Sequence, residues 1–89
     1  MIILKYCSLI SRRIISIEDE FIIIGNDFDV YSQTKLMYLD KTLIVDCEYN
    51  EISIDDLEES DYILCYHSNT MTMSIPPQTN AFIIERKTR

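Results

Sequence analysis

Apolar and polar positions alternate with a period of two over most of this chain, the spacing of strands that bury one face. Residues 1–8 read as a first strand and residues 14–17 as a second, joined through Ser11, Arg12 and Arg13. Residues 21–24 form a continuous apolar run ended by Gly25 and Asn26, which predicts a short central strand buried on both faces. Residues 29–32 and 35–39 predict further short strands. Residues 42–48 alternate, with Leu43, Val45 and Cys47 on one side and Thr42, Ile44, Asp46 and Glu48 on the other. Residues 51–54 turn Ile52 and Ile54 inward. Residues 55–60 are the one candidate helical turn, too short for an independent helix. Residues 62–66 read as the clearest core strand. Residues 70–75 alternate strictly, placing Met71, Met73 and Ile75 inward until Pro76 and Pro77, which cannot donate to a ladder, end the run. Residues 81–85 supply a final strand. The pattern predicts an all-β fold, an antiparallel β-sandwich or small barrel of about eight to ten short strands with at most one helical turn.

Eighty-nine residues suffice for one domain, read as residues 1–85 with a basic tail or linker start at 86–89. Sixteen isoleucines suit a pleated surface, because their branched side chains are stiff and pack well there. With one glycine in the chain, most connections must be built on Asn, Asp and Ser rather than on tight primed turns. The net charge is −7, and no Lys or Arg occurs between Lys41 and Arg86, a stretch holding nine acids. Nucleic-acid and anionic-membrane binding need a basic face, so both are disfavoured. Three cysteines without a CxxC pair read as buried, reduced thiols. The apolar N-terminal run is too short to span a bilayer, and Arg12 and Arg13 follow it in the wrong order for a signal peptide, so the expected location is cytoplasmic.

Candidate chemistry is sparse. The acidic run at Asp55, Asp56, Glu58, Glu59 and Asp61 lacks the alternation, the glycine and the closing glutamate of a calcium loop and reads as a solvated turn. Asp27 and Asp29 form a D-x-D pair with no third partner for a metal, and Asp27 is explained by capping the turn after Gly25. His67, the single histidine, is placed in a turn just past its strand, with Cys65 facing the opposite side. The P-loop, G-x-G-x-x-G and G-x-S-x-G motifs are absent. Tyr31, Tyr38, Tyr49, Tyr62 and Tyr66 read as strand residues with wet hydroxyls, and Met71 and Met73 as core filler. No catalytic, cofactor or metal set emerges; neither an enzyme nor a small-molecule substrate is expected.

Phe21-Ile22-Ile23-Ile24-Gly25 followed by Asp29-Val30-Tyr31 resembles the opening of a forkhead-associated (FHA) domain, and the segment from Ile54 through Asp61 to Ile63 resembles that family's closing signature. The resemblance implies a β-sandwich that binds protein partners. Asn26 stands where a phosphothreonine-reading member carries arginine, and no serine–histidine pair follows, so the resemblance implies a degenerate domain without phosphothreonine binding. The opening Ile2-Ile3-Leu4-Lys5-Tyr6 and the stretch from Asp61 to Met73 are similar to the cytosolic N-terminal module of the FtsK-like ATPase of Gram-positive type VII secretion, which implies a membrane-associated complex formed through a larger chain. The expected contact residues are Asn26, Asp27, Asp55, Asp56, Glu58 and Glu59. A different class, a free-standing phage-type acidic inhibitor that mimics nucleic-acid charge, is the alternative.

Overall fold

The computed structural model describes residues 7–88, with side chains through residue 87. Residues 1–6 of the strand expected at residues 1–8, which hold the 2–6 segment of the type VII resemblance, and Arg89 lie outside them. Six strands follow in order: β1 (Cys7–Ile17), β2 (Phe21–Asn26), β3 (Asp29–Met37), β4 (Leu43–Val45), β5 (Tyr62–Ser68) and β6 (Gln78–Thr88). One 3-10 turn, Ile54–Asp56, precedes β5.

The six strands form one mixed sheet in the order β3-β2-β1-β5-β6-β4, and a parallel pairing of the end strand β3 with β6, the strand next to the other end, closes it. Two strands turn the corners, as in barrel-like packings of two half-sheets. β1 pairs with β5 through residues 7–13 and with β2 through residues 14–17, where a bulge between Ile14 and Ser16 bends it. β6 runs antiparallel to β5, and along its other edge it meets β3 at residues 78–80 and then β4 at residues 83–85. Between those contacts the chain advances from residue 37 to 43 while β6 advances only from 80 to 83. The surplus swells outward at residues 38–42.

Strand alternation fills the interior. Ile22 and Ile24 of β2, Leu36 of β3, Ile63 and Cys65 of β5 and Ile84 of β6 are wholly enclosed, and Ile14, Ile44, Leu57 and Ala81 complete the cluster. Each fully buried isoleucine contributes about 1.5–3 kcal/mol by removal from water. Ile52 and Ile54 pack against this core, as their expected inward placement requires, and Ile10 joins them.

Several sequence expectations are corrected. Strands are fewer and longer than eight to ten short ones, and two pairings are parallel. The pairs expected at 1–8 and 14–17, and at 29–32 and 35–39, are each one strand among the described residues. Their polar residues continue the ladder: Arg12 and Arg13 are exposed, Ser11 and Gln33 half-buried, and Thr34 buried. β2 is not buried on both faces: Ile22 and Ile24 are enclosed, but Phe21 and Ile23 are partly exposed, with the Lys35 ammonium 4.4 Å from the centre of the Phe21 ring. Residues 70–75 form no strand, and Met73, expected inward, is 98% exposed. Alternation there meets no sheet face to bury against. Cys65 alone of the three thiols is buried; Cys47 is exposed and Cys7 intermediate. Arg86 and Lys87, placed in a basic tail, lie within β6, where Arg86 donates to the Asp56 carbonyl (3.0 Å) and Lys87 pairs with the buried Glu85 (2.7 Å).

Candidate functional site

His67 is not in a turn. It is the penultimate residue of β5, 5% exposed, on the same inward face as Ile63 and Cys65. Its Nδ1 lies 2.9 Å from the Ser68 carbonyl, an acceptor, so Nδ1 carries the proton. Burial pushes the Cys65 thiol up to about 12, with Cys7 adding to the effect. At neutral pH such a sulfur is a thiol, not the thiolate that attacks. The two side chains share a face, but the thiol donates to the Tyr66 carbonyl (3.6 Å) and the ring to the Ser68 carbonyl (2.9 Å), rather than to each other. Among the described residues no group of three or more His, Cys, Asp or Glu side chains is arranged to hold a metal ion.

The acidic side chains fall into two kinds. Asp56 and Ser53 form a capping box at the 3-10 turn: the Ser53 N–H donates to the Asp56 carboxylate (2.8 Å), and the Ser53 hydroxyl accepts from the Asp55 N–H (3.1 Å). Asp61 is 2% exposed and accepts from the Glu58 N–H (2.9 Å). Asp46 accepts from the N–H groups of Asn50 and Glu48 (2.9 Å each), which holds its carboxyl below the usual range, the Asn50 bond acting most. With Glu85 paired to Lys87, four of the nine acids between Asp46 and Glu85 are tied to this chain's own groups. Asp55, Glu58 and Glu59 stay exposed.

Two of the depressions in the described surface carry charged walls. The larger, of about 900 Å³, lies where residues 38–42 swell away from β6. Met37, Leu39, Ile44, Ile52 and Ile54 give it an apolar floor, and Asp19, Glu20, Asp40 and Glu51 wall it, with Lys41 the one cation lining it. Tyr38 sits among them, donating its hydroxyl to the Glu18 carbonyl. Its phenol is pushed above the usual range, first by burial and then by Asp19, Asp55, Glu20 and Glu18. That shift records a local negative field. None of the six expected contact residues lines this groove; the ends of Ile44 and Leu39 beside acids on three separate connections were not visible as a cluster in the sequence.

The smaller cleft, about 560 Å³, separates β1 from the tip of the β2–β3 hairpin. It brings together three of the expected residues, Asn26, Asp27 and Glu59, with Arg12, Arg13 and Phe28. Gly25 creates the break. At φ +134° it leaves the register of β1, and a Cβ there would meet the Ser32 carbonyl oxygen at 2.6 Å. Beyond it the tip is fixed by Asn26, whose side chain accepts from the Phe28 N–H (2.9 Å) and whose N–H donates to the Ser32 hydroxyl (2.9 Å). Phe28 is left 96% exposed and Tyr31 80%. Asp55, Asp56 and Glu58 line neither depression.

No helix among the described residues is long and apolar enough to cross a membrane. Comparison of the chain with protein-family models, with curated proteins and with solved structures finds no match, so its kinship rests on no neighbour.

Proposed function

We propose that this chain is a non-catalytic protein–protein interaction module whose partner is basic and amphipathic. The observation that carries the reading is the groove at residues 38–42, where apolar side chains form the floor and carboxylates the walls. An apolar floor alone would be a packing fault, and acids alone a solvated surface. Together they match a segment with one greasy and one cationic face. Leu39, 56% exposed and lining the groove, is the anchor position, because an apolar side chain left in solvent gains contact area when a partner covers it.

The charge-mimic reading is weaker on this surface, since four of the nine acids that motivated it are engaged locally. The narrower forms of the proposal, a degenerate FHA domain and a type VII secretion module, are carried by sequence resemblance alone. A titration with phosphothreonine peptides is expected to give no binding on the degenerate reading, and micromolar affinity would overturn that part.

The test of the groove uses a helical peptide of lysine and leucine with one apolar face, and its glutamate counterpart, in a fluorescence-anisotropy titration. The lysine peptide is expected to bind at micromolar Kd and the glutamate peptide not at all. Leu39→Ser should weaken binding about tenfold, the cost of roughly 1.4 kcal/mol. Binding that ignores Leu39→Ser and disappears at moderate salt would mean unspecific charge attraction, and the reading would fall.

A further inference from the structure

We propose that the edge of β1 facing the small cleft accepts an extended, carboxylate-bearing peptide as an added strand. This site is separate from the acidic groove and does not depend on it. Among the described residues, β1 pairs with β2 only at residues 14–17, while residues 7–13 pair only with β5. In an antiparallel ladder successive residues point their N–H and C=O groups alternately toward one neighbour and away. The Ile14 N–H donates to the Asp61 carbonyl (2.9 Å) on the β5 side. Counting back by twos, Arg12 and Ile10 also face β5, whereas Ser11 and Leu9 present their N–H and C=O groups to the open edge. The Arg12 guanidinium confirms the direction by folding onto the Ser11 carbonyl (2.7 Å).

Charge selects the occupant. Arg12 and Arg13 line the cleft beside this edge, and neither has a carboxylate partner among the described residues: Arg12 donates to the Ser11 carbonyl, and Arg13 donates to the Ser60 carbonyl (2.8 Å) with its guanidinium 5.5 Å from the Tyr62 ring centre. Two unpaired cations in an acidic chain oppose pairing of this edge with a second copy of itself, since like charges across a strand pair destabilise it. They favour a strand carrying a carboxylate opposite Arg12. Asp27 and Glu59 on the other walls set a limit. A single acid is accommodated on the β1 side, and a polyacidic segment is repelled. Phe28, held over the cleft by the hairpin tip, offers an apolar contact to the far face of the added strand.

The probe is a capped peptide of roughly seven residues alternating valine and threonine around one glutamate, titrated into the full chain and followed by amide NMR. The expected result is a Kd on the order of 100 μM, with the amide signals of Leu9 and Ser11 shifting most. N-methylating the peptide at alternate positions should lower affinity about tenfold in one register and leave it nearly unchanged in the other, a pattern only strand addition produces. Ser11→Pro removes the edge donor together with the hydroxyl bond to the Ile63 carbonyl (3.1 Å) and should weaken binding about as much, whereas Ser11→Ala, which loses the hydroxyl bond alone, should leave binding unchanged. Arg12→Glu should invert the preference from a glutamate to a lysine peptide. Because N-methylation alters the peptide alone, misfolding of a variant cannot mimic the result. Loss of affinity independent of the methylated register overturns the proposal, as does an Arg12-dependent dimer in sedimentation, which would assign the edge to a second copy. Leu39→Ser should leave this binding intact, so failure here and failure of the acidic groove are told apart.

Discussion

Replacing Gly25 with alanine tests the joint between β2 and the hairpin tip. The backbone there has φ +134°, a region that L side chains rarely adopt, and holding one costs about 1–3 kcal/mol. Space is short as well. The new methyl would lie 2.6 Å from the Ser32 carbonyl oxygen and 2.9 Å from the Gln33 Cα, where ordinary contact begins at 3.4 Å. Both obstacles are backbone of β3, so that strand must retreat by about 0.8 Å (3.4 less 2.6), stretching the Gln33-to-Asn26 bond of 3.1 Å that ties the hairpin. Strain and displacement together place the loss near 3 kcal/mol, out of a total of roughly 4–13 kcal/mol for a chain of this length. Urea unfolding followed by circular dichroism measures it, and the accompanying fall in Tm should be roughly 12–24 °C. Asp27→Ala, at an exposed position one turn residue away, should change stability by less than about 0.5 kcal/mol. A loss below about 1 kcal/mol for Gly25→Ala would refute the reasoning, because it would mean that β2 and β3 separate there without resistance.

Three further outcomes are expected. Ser53→Ala removes the hydroxyl that accepts from Asp55 and should cost about 1 kcal/mol in the same urea assay. In the folded protein, iodoacetamide at pH 8 should alkylate the exposed Cys47 and spare Cys65, whose thiol is buried and pushed up to about 12; mass spectrometry of tryptic peptides reads the difference, and equal labelling would contradict the burial. Asp46 has a folded-state pKa below its unfolded one, so its stabilising effect is full above about pH 4 and is lost as pH falls through the folded value. Asp46→Asn should therefore flatten the acid limb of the stability curve below about pH 4 and leave pH 7 to 9 unchanged in slope.

How far the sequence led depended on whether a position was governed by its neighbours in the chain or by partners far along it. The alternation of β5 and the position of β2 follow from local pattern and stand where expected, and the helical turn expected at residues 55–60 forms only at Ile54–Asp56. β1 was read as two pieces because Ser11, Arg12 and Arg13 look like a linker. In the fold they remain extended because β5 pairs along them and their side chains have an open cleft to occupy. Residues 70–75 show the opposite error: perfect alternation without a partner strand gives a loop with Met71, Met73 and Ile75 outside. Long-range partners also explain the buried polar residues. His67 is inward because it shares a face with Cys65, and Thr79 is inward because its hydroxyl reaches the Ser68 and Thr70 carbonyls (2.9 Å each). Of the six expected contact residues, Asn26, Asp27 and Glu59 converge on one cleft, although nothing in the spacing of residues 26 and 59 announces it. The acidic groove was missed for the same reason, being assembled from connections some thirty positions apart.

The parallel contact of β6 with β3 has a kinetic corollary. Residues 35–37 pair with residues 78–80 across some forty intervening positions, and residues 7–13 with residues 62–68 across still more, so the ring is shut last by such distant pairs. Local hairpins such as β2–β3 can form in microseconds, but they gain a sealed interior only at that final step. Any fragment lacking the last strand keeps β5 and β3 each with a bare side, and is thereby made sticky rather than merely shorter.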